Sequence, residues 1–205
     1  MGSLTKFGVP VAGATSTVLM PKLSYRFRVE FNGMGGQTNA NSLTHQIQSV
    51  TRPTISHEPI TLDVYNSRVY LAGKHTWEPI TIVVRDDIEG GVISLVDKQM
   101  QNQIDHHEQS APRAGAQYKF TTKIETLDGT NAGSEPGILD TWELSGCFFT
   151  NVSFGENDYS NSAPATVTMT IQYDNAKHTD EADTNLLNTQ SISDTTLATS
   201  TAGNS

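Results

Sequence analysis

An apolar–polar alternation with a period of two recurs along most of this chain, and it narrows the fold more than any other feature. Tyr25, Phe27, Val29 and Phe31 alternate with Arg26, Arg28 and Glu30. Successive side chains of an extended strand point to opposite faces, so this spacing predicts a strand with one buried face. Ile60, Leu62 and Val64 alternate in the same way with Thr61, Asp63 and Tyr65, and Ile80, Ile82 and Val84 with Thr81, Val83 and Arg85. Tyr118, Phe120, Thr122 and Ile124 stand against Lys119, Thr121, Lys123 and Glu125. Ala165, Val167, Met169, Ile171 and Tyr173 stand against Thr166, Thr168, Thr170, Gln172 and Asp174. The stretch 138–154 is long for a strand. Ile138, Trp142, Leu144, Phe148, Val152 and Phe154 share its apolar parity, and Gly146 sits mid-run, where a bulge or bend is expected. Residues 43–51 also read as a strand.

One segment changes period. Val92, Val96, Met100 and Ile104, widened by Ile93 and Leu95, recur at helical spacing. Asp86, Asp87 and Glu89 lie near its start, where negative charge favours a helix N-terminus. The expected fold is therefore mainly β: an antiparallel β-sandwich or barrel with one α-helix. Residues 1–24 read as an extended N-terminal arm and 25–176 as the β domain. Residues 177–205, rich in Ser, Thr and Asn, read as a flexible tail, too poor in apolar groups to offset the entropy of ordering.

Composition sets the remaining bounds. With 205 residues and 36% hydrophobic content, the chain can build one modest core. Its formal net charge of −9 argues against holding nucleic acid through phosphates, which takes Lys and Arg. The single cysteine, Cys147, cannot form an internal disulfide and fits a reducing compartment; it reads as a buried strand residue. No apolar run approaches the roughly 20 residues of a membrane span, and the N-terminus lacks a signal-peptide core.

Motifs for chemistry are weak. The glycine-rich run 32–42 would need a helix directly after it to cradle phosphate, and a strand is expected there. Asp105, His106, His107 and Glu108 are contiguous, so on a helix they diverge instead of chelating a metal. No G-x-S-x-G elbow and no zincin motif occurs, and Asp86 with Asp87 reads as helix-capping charge. No enzyme activity, cofactor or metal is expected. A monomeric β-sandwich binding module would want aromatics together on an exposed face. Trp77 and Trp142 are far apart in sequence, and Trp142 shares the core parity.

The order of these pieces resembles the tail tube protein of contractile-tailed bacteriophages and the related tubes of contractile injection machines. "YRFRVEF" is similar to that family's opening strand. The stretch 47–87 is similar to its central hairpin and loop, with Pro59, Asn66, Arg68, Ala72, Gly73 and Asp86 in the family's order. "ISLVDKQMQ" is similar to the helix that follows, "GILDTWELSGCFFTNVSFG" to a Trp-containing strand ending in an Asn-Val turn, and "TVTMTIQYD" to the closing strand. The resemblance covers about residues 25 to 175.

The resemblance implies hexameric rings stacked into a hollow tube inside a contractile sheath, with strands of adjacent subunits joined into a ring-wide barrel. Implied partners are other copies of the chain, a sheath protein, baseplate and tail terminator proteins, and viral DNA in transit without specific binding. The implied setting is the virion tail, assembled in the host bacterial cytoplasm. The loop at residues 66–75 would contact the neighbouring ring through Asn66, Arg68, Tyr70, Leu71, Gly73, Lys74 and His75. A plain solvated hairpin loop is the alternative. A polar strand face including Asp63, Glu125 and Glu143 would line the channel and repel DNA, with Lys119 and Lys123 as complications. A single-ring baseplate or tail-end protein of the same fold is the neighbouring possibility.

Overall fold

The computed structural model describes residues 21–37, 41–129, 137–160 and 162–180. The expected arm over 1–20 and most of the expected tail lie outside these residues. Among the described residues nine strands form, in chain order: β1 Phe27–Asn32, β2 Ile47–Val50, β3 Thr54–Val64, β4 Ser67–Glu78, β5 Ile80–Arg85, β6 Phe120–Leu127, β7 Ile138–Ser153, β8 Thr166–Gln172 and β9 Asn175–Asp180. β9 crosses the expected boundary at residue 176.

All pairings are antiparallel, and the main sheet runs β1-β6-β7-β8-β5-β2 with β9 also on β7. The long β7 is shared. Its first part pairs with β6 and with β9, and its second part with β8. The mainly β, antiparallel fold class is as expected.

Two bulges let one strand serve both halves. Thr122 stands opposite Leu144 but Phe120 opposite Cys147, so β7 carries an extra residue there. Gly146 takes the strain at φ 70°, and a Cβ at that position would collide with the Asp174 carboxylate. A second shift separates Phe149 from Asn151. Each bulge flips the parity, so Leu144, then Cys147 and Phe149, then Val152 face the core, while Phe148 is only half-buried; Phe154, 49% exposed, lies just past the end of β7. The uniform parity expected for 138–154 fails for this reason.

The core joins Val29, Phe31, Ile80, Ile82, Val84, Phe120, Ile124, Val167, Met169 and Ile171. Cys147 is fully buried among them, and burial pushes its thiol up to about 11, which makes it inert.

Among the described residues two α-helices accompany the strands. α1, Asn41–Gln46, occupies the start of the segment read as a strand. Leu43, Ile47 and Val50 are spaced by four and then three, and the first step is helical; only 47–50 pairs with β5. The glycine-rich run is therefore followed by a six-residue helix, not a strand. α2, Gly91–Gln103, buries Val92, Leu95, Val96 and Gln99. Ile93 and Ile104, expected on its apolar face, are 39% and 49% exposed. Asp87 Oδ1 accepts the Val92 N–H at 3.2 Å, so the expected capping charge sits at the helix start. Gln103 makes two bonds with the Phe149 backbone, accepting its N–H at 2.8 Å and donating to its carbonyl at 3.0 Å.

Candidate assembly surfaces: a projecting arm and the sheet edges

Among the described residues β3 and β4 pair only with each other and form a separate two-stranded arm. Residues 67–75 of the loop expected from sequence are therefore part of strand β4, and Tyr65 with Asn66 forms the turn between Val64 and Ser67. Tyr65 caps the tip at φ 50° and is 98% exposed. At the base, Trp77 lies 5.7 Å from Tyr173 between ring centroids, and Gln172 Nε2 donates to the Trp77 carbonyl at 3.1 Å.

The arm carries one bulge. His57 faces His75, but Pro59 faces Ala72, so the extra residue falls at Gly73 or Lys74. Glycine is needed here, because a Cβ on Gly73 would collide with the Glu58 carbonyl oxygen. Beyond the bulge the two faces differ sharply. Ile60 pairs with Leu71 and Leu62 with Val69, and Val64 completes that face. These five side chains are each between 45% and 54% exposed. The other face carries Thr61 with Tyr70, and Asp63 with Arg68, whose Nε donates to Asp63 Oδ1 at 2.8 Å.

The structure thus gathers the seven residues singled out from sequence onto one arm, in five different settings. Asn66 is in the turn. Arg68 and Tyr70 lie on the polar face and Leu71 on the apolar one. Gly73 and Lys74 are at the bulge, and His75 stands below it, with ring centroids 6.0 Å from His57. The aliphatic face itself was missed. Its alternation is visible in the sequence, but a period of two says that one face is apolar and not what covers it.

The three acidic candidates do not come together. Asp63 is on the arm. Glu125 and Glu143 share the face of β1-β6-β7-β9 turned away from the core, in adjacent rows. Glu125 presents little charge to any channel. Its side chain is 7% exposed and accepts from Arg28 Nε at 2.7 Å. Lys123 stands directly opposite Glu143 on that face. The face holds Arg28, Lys123 and Lys177 as well as Glu30, Glu125 and Glu143, so it is balanced instead of negative.

The chemistry-bearing clusters seen in the sequence are not gathered into a metal site among the described residues. No group of three His, Cys, Asp or Glu is placed to hold a metal. Asp105 to Glu108 lie in a turn after α2 and not on a helix; Asp105 Oδ1 accepts the His107 and Glu108 N–H groups at 2.8 and 3.1 Å. An open cleft of about 640 Å³ lies beside the β7–β8 connection, lined by Val83, Phe154, Glu156, Asp158 and Tyr159 among others. Its Asp158 carboxylate is occupied by the Ser160 N–H and hydroxyl at 2.9 Å or less. No helix among the described residues is long and apolar enough to cross a membrane.

The fold of this chain is similar to that of chains in solved structures of contractile injection systems. The PVC sheath/tube terminator of an extracellular contractile injection system, in its extended state, aligns at TM-score 0.60 and 20% identity, over 80% of this chain and 99% of that one. The tube-terminating cap of the anti-feeding prophage aligns at TM-score 0.60 and 17% identity, over 84% and 99%. A chain of the PVC sheath–tube complex aligns at 0.56 and 19%, over 88% and 99%. No protein-family profile and no curated protein matches the sequence.

Proposed function

We propose that this chain is the structural subunit of a contractile-type tail tube, closing into hexameric rings that stack into a hollow conduit. The observation that carries this reading is the aliphatic face of the arm. Ile60, Leu62, Val64, Val69 and Leu71 form a contiguous apolar surface on a two-stranded element. A two-stranded hairpin without a covered face is marginal in water, and such a patch marks an interaction site. The occupant in this reading is the neighbouring ring, which the arm reaches with its turn and both faces. Asn66, Arg68, Tyr70, Leu71, Gly73, Lys74 and His75 are then inter-ring residues, and tyrosine and arginine suit that task.

Ring closure uses the sheet edges. The half-sheet β1-β6-β7-β9 has four strands of alternating direction. Its two edges therefore run oppositely, and copies related by rotation meet antiparallel. Its polar face turns to the channel in this reading, with Glu143 on it, Glu125 beneath Arg28, and Asp63 out on the arm. Its alternating signs offer no uninterrupted cationic stripe to hold phosphates, so DNA passes without specific binding. Sheath, baseplate and terminator proteins are the remaining partners, the virion tail is the setting, and neither catalysis nor a cofactor is involved. The fold is shared with a terminator and a cap, which makes a single ring the neighbouring reading. The aliphatic arm face favours stacking.

Sedimentation velocity of the full chain against Leu62→Asp/Val69→Asp tests the assignment. The account expects large particles for the parent and single rings or protomers for the variant. Equal particle sizes would remove the arm from the inter-ring contact.

A further inference from the structure

The polar face of β1-β6-β7-β9 carries an ordered row. Glu30 on β1 stands opposite Lys123 on β6, Lys123 opposite Glu143 on β7, and Glu143 opposite Lys177 on β9. The signs alternate across the whole half-sheet and end with an anion at one edge and a cation at the other. Among the described residues β1 pairs only with β6, and β9 only with β7, and each is six residues long. An unpaired edge is a template for another strand.

We propose that β9 of one copy pairs antiparallel with β1 of the next in the register that sets Lys177 opposite Glu30. This rests on the ring reading above and adds the contact that defines its seam. The occupant is a second copy of this chain, because only a copy brings the opposite edge with the complementary charge. The register follows from face and charge together. A one-residue slip would turn the apolar face of one strand toward the polar face of the other. A two-residue slip sets Lys177 beside Arg28 in one direction, a like-charge contact, and beside Asn32 in the other, which loses the ion pair. The unslipped register continues the alternation around the ring and overlaps both strands along their full length. On the core side it sets Ala176 beside Phe31, a small residue against a large one.

Paired cysteines read the register directly. Within one copy, positions 30 and 177 are three strand spacings apart, about 14 Å, beyond the reach of a disulfide. Any bond between them is therefore intermolecular, and Cys147 is too buried to compete. The full chain is prepared as Glu30→Cys/Lys177→Cys, with Arg28→Cys/Lys177→Cys and Asn32→Cys/Lys177→Cys alongside. Each is checked for native circular dichroism and for rings by electron microscopy, then oxidised. The expected result is a shift from monomer to a ladder of covalent multimers on non-reducing denaturing gels for the 30/177 pair alone. A ladder from the 28/177 or 32/177 pair instead, or rings with no ladder from any pair, would overturn the register and leave the ring standing. Absence of rings in the parent chain would overturn both.

Discussion

At the residue scale, three positions show side chains chosen against local comfort or cost. Tyr65 holds φ 50° at the arm's tip, a region that disfavours aromatic residues. Tyr65→Gly removes that strain and raises the arm's stability by up to about 1 kcal/mol. In the proposed function it also removes a fully exposed ring from the inter-ring contact. The expected outcome is slower amide exchange in β3 and β4 together with weaker assembly. Gly73 is the opposite case. Gly73→Ala drives a Cβ into the Glu58 carbonyl and is expected to cost the arm about 1–3 kcal/mol. Hydrogen exchange checks this: amides of the arm should lose protection while those of β5 to β8 keep theirs.

Asp140 gives a pH-dependent prediction. Burial works to raise its pKa. The hydrogen bonds from Lys22 and Thr126 and the positive charge of Lys22 and His178 outweigh that and hold it below its usual 3.8. A folded-state pKa below the unfolded one stabilises fully above the unfolded value, and the contribution fades as pH falls below 3.8 through the folded value. Lys22 donates at 2.5 Å but is 47% exposed, so the pair is discounted for solvent. Lys22→Met is expected to cost about 1–2 kcal/mol at neutral pH. In thermal melts the gap from the parent should narrow as pH falls through and below 3.8. A gap that stays constant throughout that fall would assign Lys22 a packing role only.

At the element scale, the arm and the body are nearly independent. β3 and β4 are held to each other, and their anchorage is the base around Trp77. Leu62→Asp/Val69→Asp is therefore expected to leave the melting of the body within about 0.5 kcal/mol of the parent while abolishing large particles. A large loss of stability would mean that the aliphatic face is covered by the chain itself.

Elements are also where the sequence was most and least legible. β1, β5, β6 and β8 were readable because their alternation is unbroken and their apolar parity is the buried one. β7 defeated the same reading because a bulge at Gly146 and another near Thr150 each invert the parity, and periodicity has no memory across an insertion. The cover over Glu125 was not legible for a different reason. That residue's position on the polar face was correct, but the cover provided by Arg28 from β1 is a tertiary contact 97 residues away. The residues of the arm were found as a group, while its aliphatic face was taken for core. Alternation looks the same whether the covering surface belongs to this chain or to another.

At the scale of the whole molecule, the account joins one body with three unfinished surfaces. The arm has an uncovered apolar face, and β1 and β9 are edges of opposite direction and opposite terminal charge. Four alternating strands make those edges meet antiparallel under pure rotation, whereas an odd number would make them meet parallel. The chain's net charge of −9 is not concentrated on the polar face of that half-sheet, where cations and anions alternate. Reversing Glu143 alone sets three lysines in a row and is expected to weaken assembly most at low salt, as read by sedimentation across a salt series.

The most direct measurement of the central claim is negative-stain electron microscopy of the purified full chain over a range of concentrations. The account predicts hollow rings with six-fold symmetry that stack into tubes as concentration rises. A field of single compact particles at every concentration would contradict it.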